Sequence, residues 1–211
     1  IAFSRGKKSS SEISIVRSAP KYDFSNSKPK IPEDCRKQIK LGYLGTMGTQ
    51  EGIDLLLNAV AILLKRNPKL FITLELIGDG PERMNLMTLA KQLKLLNVVN
   101  FYGRIIDEEM KKVIANCDIA INPDKPSTLN DISSMNKIVE YMALGVPIIQ
   151  FNSKEGAFTA AEASTYVTET NSEALADEIE SLMANRQKRV LMQQIALVRF
   201  KQLCWETQEP T

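Results

Sequence analysis

The sequence predicts an α/β fold built on a parallel sheet with helices on both faces. Three observations carry that reading. From Lys40 onward, short apolar or β-branched runs alternate with longer segments whose apolar residues recur every three or four positions. The longer segments are about ten to fifteen residues, the length a crossover helix needs between parallel strands. Turns containing glycine follow several of the runs, at Gly45, Gly78, Gly80 and Gly103.

The elements follow in order. Residues 41–44 form a strand that ends at Gly45, and Ile53, Leu56, Leu57, Val60, Leu63 and Leu64 mark the helix after it. Residues 70–77 form the second strand. Pro81 suits the first position of a helix whose buried stripe is Leu86, Leu89, Ala90 and Leu93. A strand at 98–101 precedes a helix capped by Asp107 and carrying Met110, Val113, Ile114 and Cys117. Residues 119–121 form a strand, and a polar loop runs from Asn122 to Ser134. The next helix spans about 135–144 and stops at Gly145, a residue suited to a left-handed terminus. Strands at 147–151 and 165–167 follow. Thr170 with Glu173 makes a capping box for a helix using Leu175, Ile179, Leu182 and Met183, and a last helix carries Leu191, Ile195 and Val198.

Residues 1–38 differ from the rest. A short apolar strand at 13–16 sits among Lys, Ser and Pro, as in an interdomain connector. The expected organisation is a connector and domain remnant over 1–38, one domain over 39–205 and a tail over 206–211. The start at Ile1 suggests a piece of a longer protein.

The 211 residues are 44% hydrophobic and 25% charged, an ordinary globular mixture. Lys plus Arg total 27 against 25 Asp plus Glu, which excludes a strongly basic nucleic-acid binder. Histidine is absent, so a histidine base or histidine-bound metal is closed to this chain. Cys35, Cys117 and Cys204 lack metal-ligand spacing and read as reduced thiols, pointing to a cytoplasmic location. No run approaches the ~20 apolar residues of a membrane span.

In a parallel α/β sheet, ligands bind beyond the carboxyl ends of the strands. Candidate chemistry therefore lies in loops 45–52, 78–82, 102–107 and 122–136. Gly45, Gly48 and Gly52 allow an anion to approach backbone, while the loop matches neither the dinucleotide fingerprint nor the P-loop. Gly78-Asp79-Gly80-Pro81 is first a turn, with ligand contact by Asp79 no more expected than a structural role. Arg104 follows Gly103, where a flat base could lie on the backbone. The helix after the polar loop starts with Ser133 and Ser134 as cap candidates, and has Asn136 and Lys137 where acidic residues would complement the dipole. A lysine there opposes the dipole unless an external anion joins it. Glu140 lies one turn on, on the same face as Asn136, able to reach a ligand hydroxyl or to serve as an ordinary surface glutamate; Ile138, Tyr141 and Met142 face the core.

With those residues in hand, residues 38–205 resemble the C-terminal, Rossmann-like half of a GT-B glycosyltransferase of family 4. The resemblance rests on an ordered series: Gly-Thr-Met-Gly (45–48), Gly-Asp-Gly-Pro (78–81), Phe-Tyr-Gly-Arg (101–104), Cys-Asp-Ile-Ala-Ile-Asn-Pro (117–123) and Glu-Tyr-Met-Ala-Leu-Gly-Val-Pro-Ile-Ile (140–149). The segment from Ser134 to Glu140, with 154–164, is similar to a bacterial subgroup that builds surface polysaccharides.

The resemblance implies a nucleotide-sugar donor, commonly a UDP-sugar, used with retention and without a metal or further cofactor. It implies that Glu140 bonds the ribose hydroxyls, that Arg104 and Ile105 receive the base, and that Met135, Asn136 and Lys137 face the diphosphate opposite Gly45 and Thr46. Gly48, Gly78, Gly80 and Ser134 complete the candidate binding set, with Lys137 and Glu140 as the catalytic candidates. Two departures stand out: Thr46 and Glu51 occupy places where the family usually has Arg and Lys, and Ile132 replaces its first glutamate. Lys137, with Lys154, is expected to restore the charge, and Asp131 or Asn136 to touch the sugar. The resemblance further implies an acceptor-binding N-terminal half outside this chain, peripheral membrane association through that half, and no transfer by this chain alone. A sugar-nucleotide epimerase and a non-catalytic binding module stay open beside the transferase.

Overall fold

The computed structural model describes residues 9, 17–25, 29–30, 34 and 38–208. The strand expected at 13–16 and Cys35 lie outside the described residues.

Six strands form one sheet: β1 (Gln38–Leu44), β2 (Phe71–Ile77), β3 (Val99–Gly103), β4 (Ile119–Asn122), β5 (Ile148–Phe151) and β6 (Ser164–Val167). Their order is β3-β2-β1-β4-β5-β6, and every pairing is parallel. Leu41 of β1 pairs with Leu74 on one side and Ile119 on the other. Because both faces are covered, the inner strands are almost wholly apolar instead of alternating; all four residues of β4 and of β5 are buried.

Helices α1 (Ile53–Arg66), α2 (Arg83–Gln92) and α6 (Ser172–Ala184) share one core with Ile39, Leu41 and Tyr43 of β1. Helices α3 (Asp107–Ala115), α4 (Asn136–Ala143), α5 (Lys154–Ala160) and α7 (Arg186–Leu203) build the other around Cys117, Ala120 and Ile148. The short α8 (Trp205–Gln208) closes the described chain. The predicted fold class is the observed one, and Ile138, Tyr141 and Met142 are fully buried, as expected. Among the described residues no helix is long and apolar enough to cross a membrane.

Local signals correct several expectations. The helix after β2 starts at Arg83, because Glu82 N–H is already bonded to Met47 O and Arg83 N–H to Gly80 O, leaving Pro81 in the turn. Asp107 does not cap α3; Ile106 holds that position and Asp107 is the first helical residue, where its charge complements the dipole. The α6 cap is Asn171, whose Oδ1 accepts from Ala174 N–H at 2.8 Å, while Glu173 of the expected box is drawn 2.7 Å from Arg66. Helix α5 escapes the periodicity because its seven residues are mostly small; Ser153 caps it, accepting from Gly156 N–H.

Of the stripe expected on helix α7, Ile195 packs partly buried against the second core, but the face turned fully inward lies beside it. Leu191 and Val198 are exposed, while Met192, Ala196, Phe200 and Leu203 are buried. Arg189 is buried with them and donates to Leu182 O and Met183 O, satisfying carbonyls at the end of α6. The described stretches before β1 pack on this layer: Tyr22 stacks on Phe200, Lys30 pairs with Asp118, and Arg17 with Glu155.

Glycines bring the strand ends together. Gly45 N–H donates to Ile77 O and Gly78 N–H to Gly103 O, joining the turns after β1, β2 and β3. Gly78 has φ +127°, and a Cβ there would lie 1.8 Å from Gly45 O. The variant Gly78→Ala should lose more than about 1 kcal/mol of stability, read as a lower urea midpoint at unchanged helix content, because neither the backbone angle nor the contact tolerates a side chain.

Candidate functional site

β1 is followed by a crossover to β2 on one side, whereas β4 and its successors build outward on the other. Loops diverge at such a switch point and leave a crevice beyond the strand ends. Here the crevice is a cleft of about 590 Å³ lined by the ends of β1 and β2, by Arg104 and Ile105, by Asp107 and Met110 of α3, by Asp124, and by Ser134–Lys137 and Glu140 at the start of α4.

Ten of the twelve candidate residues meet there: Gly45, Thr46, Gly78, Arg104, Ile105, Ser134, Met135, Asn136, Lys137 and Glu140. Gly48 and Gly80 do not line the cleft. A Cβ on Gly80 would lie 2.5 Å from Met47 O, so Gly80 serves the packing of the turns, whereas one on Gly48 would meet only the end of the Gln50 side chain. Asp131 accepts a hydrogen bond from Lys154 N–H at the start of α5, and neither residue lines the cleft; Ile132 is 78% exposed.

The amino end of α4 faces the cleft. Met135 stands at its cap position in extended conformation, and its side chain makes no capping hydrogen bond. The serines expected as caps are engaged elsewhere, Ser133 with Leu129 O and Ser134 with Glu155. Peptide N–H groups in the first turn of a helix lack intrahelical partners and favour an anion.

Lys137 already has counter-ions within the chain. Its Nζ is 2.6 Å from Asp124 Oδ1 and 3.0 Å from Glu51 Oε2, and 5.1 Å from the centre of the Tyr43 ring. All three charged side chains are nearly buried, at 11%, 8% and 14% exposure for Lys137, Asp124 and Glu51. Two carboxylates sharing one ammonium leave a net negative charge out of water. Burial accordingly pushes the Asp124 carboxyl up to about 7, with Lys137 opposing the shift and Glu51 reinforcing it. Burial and Glu51 also raise the Tyr43 phenol, which keeps its proton and donates to Thr46 O at 2.6 Å.

Glu140 contrasts with Asp124. Among the described residues its carboxylate has no hydrogen-bond or salt-bridge partner, although it lines the cleft and burial, then Asp107, raises its pKa. Arg104, exposed at the opposite wall, is likewise unpaired among the described residues. These two side chains are unspent. Asp124 is the principal site residue that loop patterns missed; a carboxylate placed two residues beyond a buried strand, at the switch point, was the available signal.

The strand order and switch-point cleft place the chain among Rossmann-like α/β domains, and solved structures share the arrangement. Anabaena HepE in complex with UDP superposes at TM-score 0.76 and 20% identity, over 98% of this chain and 58% of that one. Sucrose-phosphate synthase of Thermosynechococcus elongatus gives 0.68 and 22%, over 90% and 46%. A D-inositol 3-phosphate glycosyltransferase of Corynebacterium urealyticum is 23% identical over 197 residues, 87% of this chain and 45% of its own length. A Haemophilus influenzae protein named as an uncharacterized glycosyltransferase is 31% identical over 113 residues, 54% and 30%. The chain thus spans less than half the length of these two curated relatives. Residues 38–185 match the family described as glycosyl transferases group 1, and the chain belongs to it.

Two outcomes follow from the site. Tyr43→Phe removes the bond to Thr46 O and should cost about 1 kcal/mol, with faster amide exchange confined to residues 45–48. An unfolded Asp ionises near pH 4, whereas native Asp124 holds its proton to about 7. The native state therefore binds more protons across that window, and stability should fall as pH rises from about 4 to 7. Asp124→Asn should flatten that slope in urea titrations.

Proposed function

We propose that this chain is the donor-binding half of a retaining GT-B glycosyltransferase, which moves a sugar from a nucleotide diphosphate, chiefly UDP, to a surface-glycan or lipid-linked acceptor. The observation that carries the reading is the uncapped amino end of α4 opening into the switch-point cleft, with the unpaired Glu140 carboxylate one turn along. A diphosphate needs N–H donors and positive potential; a ribose needs an acceptor for its hydroxyls. The two needs are met at adjacent turns of one helix. Family membership, and the UDP named with HepE, point the same way.

In this reading the leaving diphosphate gains charge as the sugar departs, and fixed donors aimed at its oxygens stabilise that state without reorganisation. Met135, Asn136 and Lys137 supply backbone N–H groups, and the Lys137 side chain lines the same cleft. Arg104 and Ile105 offer the far wall to the base, and Gly45 lets the phosphates approach the β1 turn. The acceptor is brought by a second half outside this chain, so the 211 residues bind donor and transfer nothing alone. A binding module without transfer is the second reading, favoured by the neutralisation of Lys137 by Glu51 and Asp124.

Calorimetry with UDP and with uridine tests the donor site. Lys137→Ala should weaken UDP by about 10- to 100-fold, the loss of one charge-assisted contact, and leave uridine nearly unchanged. Equal losses for both ligands would remove Lys137 from the diphosphate subsite. Glu140→Gln should weaken uridine and UDP alike, by several-fold.

A further inference from the structure

A lysine at the mouth of an anion site would ordinarily be the free cation of that site. Lys137 is not free. Its ammonium is shared by two carboxylates, Asp124 from the end of β4 and Glu51 from the turn after β1, so the cluster carries one negative charge when both are ionised. Glu51, Asp124 and Lys137 line the same cleft as Met135 and Asn136 at the amino end of α4. A diphosphate arriving there adds about two further charges of the same sign to a nearly buried cluster, and like charges at such sites raise one another's proton affinity.

The surroundings decide which group yields. Asp124 is faced by Lys137 and by the buried Tyr141 hydroxyl on α4, by Glu51 on the β1 turn, by Tyr43 on β1 and by Asn122 on β4. With its amide nitrogen turned toward Asp124, Asn122 lies 3.1 Å and 3.2 Å from the two carboxylate oxygens. Lys125, next in sequence, pairs instead with Asp54, 3.0 Å away. Lys137 is thus the one cation within ion-pair reach of Asp124 among the described residues, and Asp124 is the less exposed of its two carboxylates.

Resting on the donor-site reading above, we propose that Asp124 takes up a proton from solvent when a nucleotide diphosphate binds, freeing the Lys137 ammonium to serve the incoming phosphates, so that donor affinity falls as pH rises above neutrality. Asp124 acts here through Lys137 and touches no substrate; it is a positioning residue whose protonation converts an internal ion pair into a cation available to the ligand. Glu51 gives the cluster its excess negative charge.

The test is calorimetry with UDP-glucose on the whole 211-residue chain, from pH 5.5 to 8.5, in buffers of differing ionisation enthalpy. UDP-glucose is the probe because its diphosphate is esterified at both ends, whereas the terminal phosphate of UDP itself titrates near pH 6. The wild type should take up close to one proton per ligand at pH 8, with affinity falling up to about tenfold per pH unit there. Asp124→Asn should bind with no proton uptake and a flat profile, and Glu51→Gln should take up fewer protons than the wild type at pH 8. Wild-type binding without proton uptake, or Asp124→Asn retaining the wild-type slope, overturns the proposal while leaving the donor site standing. Absence of heat from the wild type at every pH overturns the donor reading and the proposal with it. Should Asp124→Asn fail to fold, Glu51→Gln decides, and uptake equal to the wild type overturns the proposal.

Discussion

The ammonium of Lys137, held between Glu51 and Asp124, is the interaction on which the cleft depends. It ties three separate pieces of chain: the turn after β1, the loop after β4 and the first turn of α4. Charged groups this far from water persist only when paired, and removing one partner leaves another stranded. The clamp therefore fixes the helix end relative to the β1 turn, and does so with a charge balance tilted to the negative.

That arrangement is possible because the backbone around it is rigid. Gly45, Gly78 and Gly103 all have positive φ, and a side chain on Gly78 would run into the backbone of Gly45. Tyr43 adds a second constraint from below, its hydroxyl bonded to Thr46 O and its ring beside Lys137. The β1 turn is thus braced from the core side. The face left open is the one lined by unbonded groups: the amino end of α4, Glu140 and Arg104.

The resemblance to family 4 transferases locates the departures at Thr46, Glu51 and Ile132, and the structure gives the first two a physical setting. The turn after β1 carries an anion, and the cation comes from α4 instead. Glu51 is a partner for Lys137 and itself lines the cleft. Ile132 is different: it is exposed on the 3-10 turn Asn130–Ile132 and lines no part of the cleft.

The architecture was legible because hydrophobic periodicity is a property of neighbouring residues. The runs 41–44, 70–77 and 119–121 and the helical stripes between them predict a parallel sheet covered on both faces, and turn chemistry leads to Gly45, Arg104 and Glu140. Caps were less legible, since Asp107, Thr170, Ser133 and Ser134 are all able to cap and competing partners such as Arg66 and Glu155 choose among them. The inward face of α7 was illegible for a related reason: Arg189 looks like a surface residue until the carbonyls ending α6 are placed above it. By itself the sequence determined the order of elements and the loops that converge on one end of the sheet. Only the tertiary structure decided that Asp124 and Glu51, 13 and 86 residues from Lys137, would claim its charge, because ion pairing depends on which loops meet in space and carries no local period.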